Sequence, residues 1–182
     1  METILNSSPR IVQTSIGGVD LARDLGFTPS RDLSYDQFSW AAGKLLFAAR
    51  AAGVQASGLT PRGGAGLMNT SGDPKAIVEV CHRSFMMGYL GTPAIHPLWC
   101  DPINEGFKST PAELDAAKRV KTTLEEAFAR GEGSVALDGR MIDVAHLEHV
   151  NHVLERAECV ARREAEKAAA VATAGGAAQG VT

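Results

Sequence analysis

Residues 10–16 read Arg10-Ile-Val-Gln-Thr-Ser-Ile16, followed by Gly17-Gly18 and then Val19-Asp20-Leu-Ala-Arg-Asp-Leu25-Gly26. The first stretch is short and rich in β-branched side chains, which pack well on a pleated, buried surface. It predicts a strand. The glycine pair closes the strand, and the next residues predict a short helix that Gly26 stops, because glycine enters the left-handed region without cost. A strand that turns through glycine into a helix is the opening of a βα unit. Ahead of it, Glu2 to Ser8 predicts the end of a helix, with Ser7-Ser8-Pro9 as its stop.

The pattern then recurs. From Tyr35 to Ala52, the residues Phe38, Ala41, Ala42, Leu45, Leu46 and Ala49 fall at helical spacing, and Gly53 fits the C-terminal stop. Val54 to Leu59 predicts a second strand, and Thr60 to Asp73 a Gly-rich loop. Pro74 suits the first position of a helix running from Lys75 to Leu90, ended by Gly91. Thr92-Pro-Ala-Ile-His96 predicts a short third strand with Pro97 behind it. Alternation of strand and helix implies an α/β fold of parallel βαβ units. Three parallel strands make a thin sheet with exposed edges. The expectation is an apolar patch on the isolated chain and a tendency to associate.

Beyond residue 108 the organisation changes. Thr110-Pro-Ala-Glu113 is a capping box, and the helix it opens carries Leu114, Ala117, Val120, Leu124 and Phe128 on one face. Asp138-Gly139 is a two-residue hairpin signal between Ser134–Leu137 and Met141-Ile142. A final helix covers about Val144 to Ala170. The division is therefore 1–108 for the βα units, 109–167 for a helix, hairpin and long helix, and 168–182 for a low-complexity tail expected to fray.

Composition removes several classes. The chain has 182 residues, 45% hydrophobic and 21% charged, with net charge -3 and 5% aromatics. No run approaches the ~20 apolar residues of a membrane span. Mild acidity without a basic stripe argues against nucleic acid as a partner, and few aromatics argue against base stacking. The N-terminus lacks a secretory pattern, so the cytoplasm is expected. Cys81, Cys100 and Cys159 form no CxxC pair, which implies reduced thiols rather than disulfides or zinc.

Few residues suggest chemistry. Asp20 follows a strand and a Gly-Gly turn, at the end of a parallel strand where ligands bind. Gly18 lets backbone approach a ligand, and the amides of Val19 and Asp20 suit a carboxylate. Asp20 itself is a good ligand for a hard cation such as Mg2+, or simply a helix N-cap. His96, between Ile95 and Pro97, either faces a ligand or is satisfied by its own loop. Asp143 begins the last helix and suits an N-cap. His146, His149 and His152 read as a solvated stripe rather than a metal site. Gly63-Gly64-Ala65-Gly66 lacks the Lys and Ser/Thr of a phosphate loop, and Cys81-His82 reads as packing.

Four motifs in order carry a resemblance. Gly17-Gly18-Val19-Asp20-Leu21 with Leu25-Gly26 resembles the metal-binding strand-six region of the citrate lyase beta subunit/malyl-CoA lyase family (HpcH/HpaI aldolase-like). Leu45-Leu-Phe-Ala-Ala-Arg-Ala-Ala-Gly53 resembles the helix that follows. Ala94-Ile-His-Pro97 with Ile103-Asn-Glu-Gly-Phe107 resembles its strand-eight segment. Ala136-Leu-Asp-Gly-Arg-Met-Ile-Asp143 resembles its C-terminal hairpin. The resemblance covers about Glu2 to Ala157 and implies the C-terminal part, about strands 6–8, of a (β/α)8 TIM barrel plus a hairpin-helix extension. It implies a Mg2+-dependent carbon–carbon lyase acting on a malyl-CoA, methylmalyl-CoA or citramalyl-CoA thioester, releasing glyoxylate or pyruvate and an acyl-CoA. On that reading Asp20 is a metal ligand, and Gly18, Val19 and Asp20 bind the 2-oxo acid. Ile95, His96 and Pro97 border the coenzyme A channel, and Asp143 is a catalytic acid/base reaching a neighbouring subunit. The partners implied are further copies, as a trimer or hexamer, or a chain supplying strands one to five. The alternative is a catalytically incomplete fragment or a non-catalytic interaction subunit.

Overall fold

The computed structural model describes residues 1–28, 38–58 and 72–178. The chain forms two compact units, Met1–Lys108 and Ser109–Thr182. Among the described residues the fold is α/β and mostly helical.

The first unit contains α1 (Glu2–Leu5), β1 (Gln13–Thr14), α2 (Gly18–Leu25), α3 (Ser39–Ala51), β2 (Gln55–Ala56), α4 (Pro74–Met86) and α5 (Cys100–Gly106). β1 and β2 pair in parallel, with Gln13 opposite Gln55 and Thr14 opposite Ala56. Gln55 N donates to Val12 O at 3.0 Å, and Ser57 N donates to Thr14 O at 2.8 Å. Both strands are shorter than their apolar runs predict. The flanking Ile11 and Ile16 are still half-buried on the core.

The predicted third strand, Thr92–His96, is not a strand. The chain instead passes β2 slightly earlier: Leu90 N donates to Ala56 O at 3.2 Å, and Gly58 N donates to Gly91 O at 2.8 Å. Two physical reasons end the pairing there. Pro93 has no N–H to extend the ladder. Ile95 is 76% exposed, so no burial holds the segment against the sheet. The side chains of Ile4, Val12, Val19 and Leu25, in and between α1 and α2, are also exposed.

The core gathers Leu5, Ala42, Ala49, Val54, Ala56, Ile77, Cys81, Tyr89, Ile103 and Phe107. Tyr89 is buried, and its hydroxyl donates to Ala42 O at 3.2 Å, which satisfies the polar end of a large apolar side chain. Helix α2 ends as expected at Gly26, φ 74°, and Phe27 N donates back to Ala22 O at 3.0 Å. Asp73 accepts from Lys75 N at 3.0 Å and starts α4, with Pro74 in the first turn. In the interior of α3, a Cβ added at Gly43 meets nothing within 4 Å. Gly43→Ala is therefore expected to raise stability by about 1 kcal/mol, by helix propensity alone. Thermal unfolding followed by circular dichroism checks this, and a lower melting temperature contradicts it.

The second unit is α6 (Pro111–Ala129), β3 (Ser134–Leu137), β4 (Arg140–Asp143) and α7 (Val144–Ala178). Thr110 and Glu113 form the reciprocal capping box, with Glu113 N donating to Thr110 Oγ1 at 3.2 Å and Thr110 N to Glu113 Oε2 at 2.7 Å. β3 and β4 pair antiparallel through Asp138-Gly139. These two residues have φ of 49° and 76°, the positive values that a tight two-residue hairpin requires. Arg119 holds Asp138 with two bonds of 2.9 and 2.8 Å. Helix α7 runs past the predicted end near Ala170 to Ala178, because alanine is the strongest helix former.

Candidate functional site

The candidate site begins where β1 ends. Ser15 and Gly58 lie side by side: a Cβ at Gly58 would sit 3.9 Å from Ser15 Cβ and 4.0 Å from Tyr89 Cε1. Because β1 and β2 are parallel, the chain leaves both from this same end. The Leu90–Gly91 segment is bonded alongside β2. In parallel α/β sheets this end carries the ligand.

From β1 the chain turns at Gly17, which precedes α2. Leu21 N donates to Gly17 O at 2.9 Å. The earlier amides of the turn, at Gly18, Val19 and Asp20, belong to the first helical turn, where no carbonyl of the same helix can accept. Asp20 is not the cap residue. It is the third residue of α2, where a carboxylate is favoured by the helix dipole. Its side chain is 75% exposed, and Oδ1 lies 3.4 Å from Arg23 Nη1. Arg23 also binds Asp24 at 3.1 Å. Asp20 is thus an accessible oxygen donor held by one weak, screened ion pair. That chemistry fits one ligand of Mg2+, which takes one or two carboxylates and fills its shell with water and substrate oxygens. Among the described residues, no three of His, Cys, Asp or Glu gather around a common point.

His96 is satisfied by its own loop. Its Nδ1 accepts from Leu98 N at 3.3 Å and caps the short 3-10 turn Pro97–Trp99. That bond assigns the proton of the neutral ring to Nε2. The ring lies 6.3 Å from that of Trp99. Ile95 and Leu98 are exposed on either side of the turn. Leu98 and Trp99 are the neighbours that the motif Ile95-His96-Pro97 does not reveal. Their only sequence signal is an apolar pair directly after a proline.

Asp143 belongs to the second unit, at the end of β4. Its Oδ1 accepts from Ala145 N at 3.1 Å, so it caps α7. The same oxygen is 2.8 Å from His146 Nδ1. The His146 hydrogen bond holds the Asp143 carboxyl below its ordinary range. The Ala145 and His146 amides add to this, while partial desolvation opposes it. Asp143 is therefore ionised at neutral pH. Its stabilising bonds are present above the ordinary carboxylate range and are lost as pH falls through the depressed value. Asp143→Ala is expected to lower the melting temperature at pH 7. The gap to the parent chain should close below about pH 4. A gap that is unchanged with pH contradicts this ionic cap.

Other candidates resolve differently. His146 pairs with Asp143, and no metal cluster forms with His149 and His152 among the described residues. Cys81 is buried, and burial pushes its thiol up to about 12, so it is core rather than nucleophile. Gly63 to Gly66 lie outside the described residues. A cleft of about 210 Å3 lies beside β2, lined by Leu46, Arg50, Gly53, Gln55 and Leu90 among others. Gly53 and Val54 place it toward the start of β2, away from the end where Asp20 follows β1.

No family model matches the chain. A (3S)-malyl-CoA thioesterase of Cereibacter sphaeroides is 30% identical over 153 residues, covering 84% of this chain and 50% of that protein. The chain is a relative of the citrate lyase beta subunit/malyl-CoA lyase family. An L-malyl-CoA/beta-methylmalyl-CoA lyase of the same organism is 25% identical over 175 residues, covering 88% of this chain and 53% of that one. The chain thus spans about half the length of the curated relatives it matches. The crystal structure of CitE from Mycobacterium tuberculosis, in complex with magnesium, acetoacetate and coenzyme A, aligns with a TM-score of 0.64 and 24% identity. It covers 86% of this chain and 55% of that one, a likeness of fold with this citrate lyase beta-type protein.

Proposed function

We propose that this chain forms about strands 6–8 of a (β/α)8 barrel with a hairpin-helix extension, and acts on a malyl-CoA-type thioester in the cytoplasm. The observation that carries the reading is the Gly17–Asp20 turn, with its exposed carboxylate at the end of a parallel strand. No helix among the described residues is long and apolar enough to cross a membrane. Asp20 would be one ligand of Mg2+, an ion that supplies positive charge to stabilise a developing alkoxide or enolate. The amides of Val19 and Asp20 would hold the carboxylate of glyoxylate or pyruvate. Ile95, His96 and Pro97 would border the coenzyme A path, where the exposed Ile95 and Leu98 offer apolar contact. Asp143, ionised at neutral pH, would move a proton at the thioester end. The rest of the site would come from further copies or from a chain supplying the other strands.

In the lyase reaction, a 3-hydroxyacyl-CoA loses its hydroxyl proton to a base. The carbon–carbon bond breaks, and its electron pair passes to the thioester, whose enolate takes up a proton at carbon. The products are a 2-oxo acid and an acyl-CoA. A second reading has equal standing among the relatives, since the thioesterase is the more similar by identity. There water adds to the thioester carbonyl, the carbon–sulfur bond breaks and coenzyme A leaves as a free thiol. One assay separates them. With malyl-CoA and Mg2+, the lyase reading expects glyoxylate and acetyl-CoA without free thiol. Free thiol with malate supports hydrolysis. Neither product, from a folded chain, supports the incomplete fragment or interaction subunit.

A further inference from the structure

The cleft beside β2 is bordered by two hydrogen-bond donors that have no acceptor among the described residues. Its volume is about 210 Å3, with Leu46, Val54 and Leu90 as apolar walls and no carboxylate in the lining. The first donor is a backbone amide. A strand turns successive amides to opposite sides. Gln55 N and Ser57 N go to β1, where they donate to Val12 O at 3.0 Å and to Thr14 O at 2.8 Å. On the other side, Ala56 O accepts from Leu90 N at 3.2 Å. Ala56 N faces that same side and is left without an acceptor among the described residues. The ladder opens there because the chain before Leu90 is still closing α4. Gly88 N donates to Phe85 O at 2.9 Å, and Tyr89 N to Ser84 O at 3.1 Å. Ala56 is 5% exposed, and a buried amide left open in this way favours any acceptor that reaches it.

The second donor is Arg50, in the last turn of α3 and exposed where it borders the cleft. Its guanidinium has no ion pair or hydrogen bond among the described residues. The end of its own helix does not engage it either. Gly53 N donates to Arg50 O at 3.2 Å and Val54 N to Ala49 O at 2.9 Å, so those carbonyls are already satisfied. We propose that this cleft binds a small organic carboxylate with an apolar body. Arg50 and Ala56 N–H donate to its oxygens, and Leu46, Val54 and Leu90 cover the body. A guanidinium selects a carboxylate over a neutral group because its hydrogen bonds are charge-assisted. Volume sets the size. A cavity of roughly 150 Å3 holds benzene, so a single ring bearing one carboxylate fits here. The cleft lies toward the start of β2, away from the Gly17–Asp20 turn, and rests on neither the metal nor the thioester reading.

Benzoate is the probe, titrated into the full chain and followed by amide NMR. Saturable shifts are expected at Gly53, Gln55, Ala56 and Gly88. Arg50→Gln should weaken binding by roughly tenfold or more, the loss of a charged hydrogen-bond donor. Arg50 is exposed, so this variant should keep the fold, which the unshifted amides of the spectrum report. Arg10→Gln removes the same charge from another exposed arginine and should leave binding nearly unchanged. Benzamide keeps the ring without the charge, and inorganic phosphate keeps the charge without the ring. Each should bind more weakly than benzoate by roughly tenfold or more. Shifts at Val19 and Asp20 in place of the cleft amides overturn the proposal, and so does the absence of saturable shifts. Equal affinity of Arg50→Gln and the parent chain, or of benzoate and either control ligand, also overturns it. The readout needs neither Mg2+ nor a thioester, so its failure is distinct from failure of the catalytic reading.

Discussion

Gly106→Val is expected to unfold the first unit at temperatures where the parent chain is stable. Gly106 is buried at the end of α5, where that helix meets α4. A Cβ there would fall 2.6 Å from Val78 O and 3.2 Å from His82 N, and would run into Cys81 Cβ. Two of these are backbone atoms of a helix, which cannot turn aside as a flexible side chain can. The alternative is to separate α4 from α5, which uncovers Ile77, Cys81, Ile103 and Phe107, all in the core. Overpacking of this kind costs about 3 kcal/mol or more, a large share of the 5–15 kcal/mol that holds a domain together. Gly91→Ala is the control, because a Cβ there meets nothing within 4 Å. Chemical denaturation should show a much lower midpoint for Gly106→Val and almost none of that loss for Gly91→Ala. Equal midpoints for the parent chain and Gly106→Val would mean that the two helices do not pack as described.

That glycine also shows what a sequence conceals. Residues with a local job were legible. Gly26 stops α2, Thr110 and Glu113 cap α6, and Asp138-Gly139 turns the hairpin, because each signal acts within a few residues. Gly106 carries no such signal, since its reason is a helix far away in the chain. The same limit explains the third strand. Thr92 to His96 has the apolar content of a strand, but pairing depends on a neighbour. Pro93 and the exposure of Ile95 leave the β2 bonds to Leu90 and Gly91 instead. At the candidate site, the turn from a strand through Gly17-Gly18 into a short helix was legible. The position of Asp20 within the first turn, rather than at the cap, was not. His96 and Asp143 were legible as residues with a local partner. Their bonds to Leu98 N and to Ala145 N are of the short-range kind that sequence spacing reports.

The second large effect concerns Asp20. Asp20→Ala is expected to weaken Mg2+ binding by roughly 100-fold or more, because a hard cation loses a charged oxygen that water replaces poorly. It should barely change stability. The side chain is 75% exposed, and its partner is one ion pair at 3.4 Å, an arrangement worth ~0–1 kcal/mol at most. Asp20→Asn keeps the size and loses the charge, so it should bind Mg2+ almost as poorly. Asp143→Asn should leave Mg2+ binding intact, because on the proposed reading Asp143 handles a proton and not the metal. Equal loss of binding in the Asp20 and Asp143 variants would contradict these separate roles. A large drop in melting temperature for Asp20→Ala would show that the residue supports the fold instead.

Calorimetric titration of the full chain with Mg2+ and glyoxylate, with and without acetyl-CoA, is the decisive test of Asp20 as a metal ligand. Glyoxylate binding is expected to require Mg2+, to be strengthened by acetyl-CoA, and to disappear in Asp20→Ala while the variant remains folded. Glyoxylate binding that survives Asp20→Ala, or no binding by a folded parent chain under any of these conditions, would contradict it.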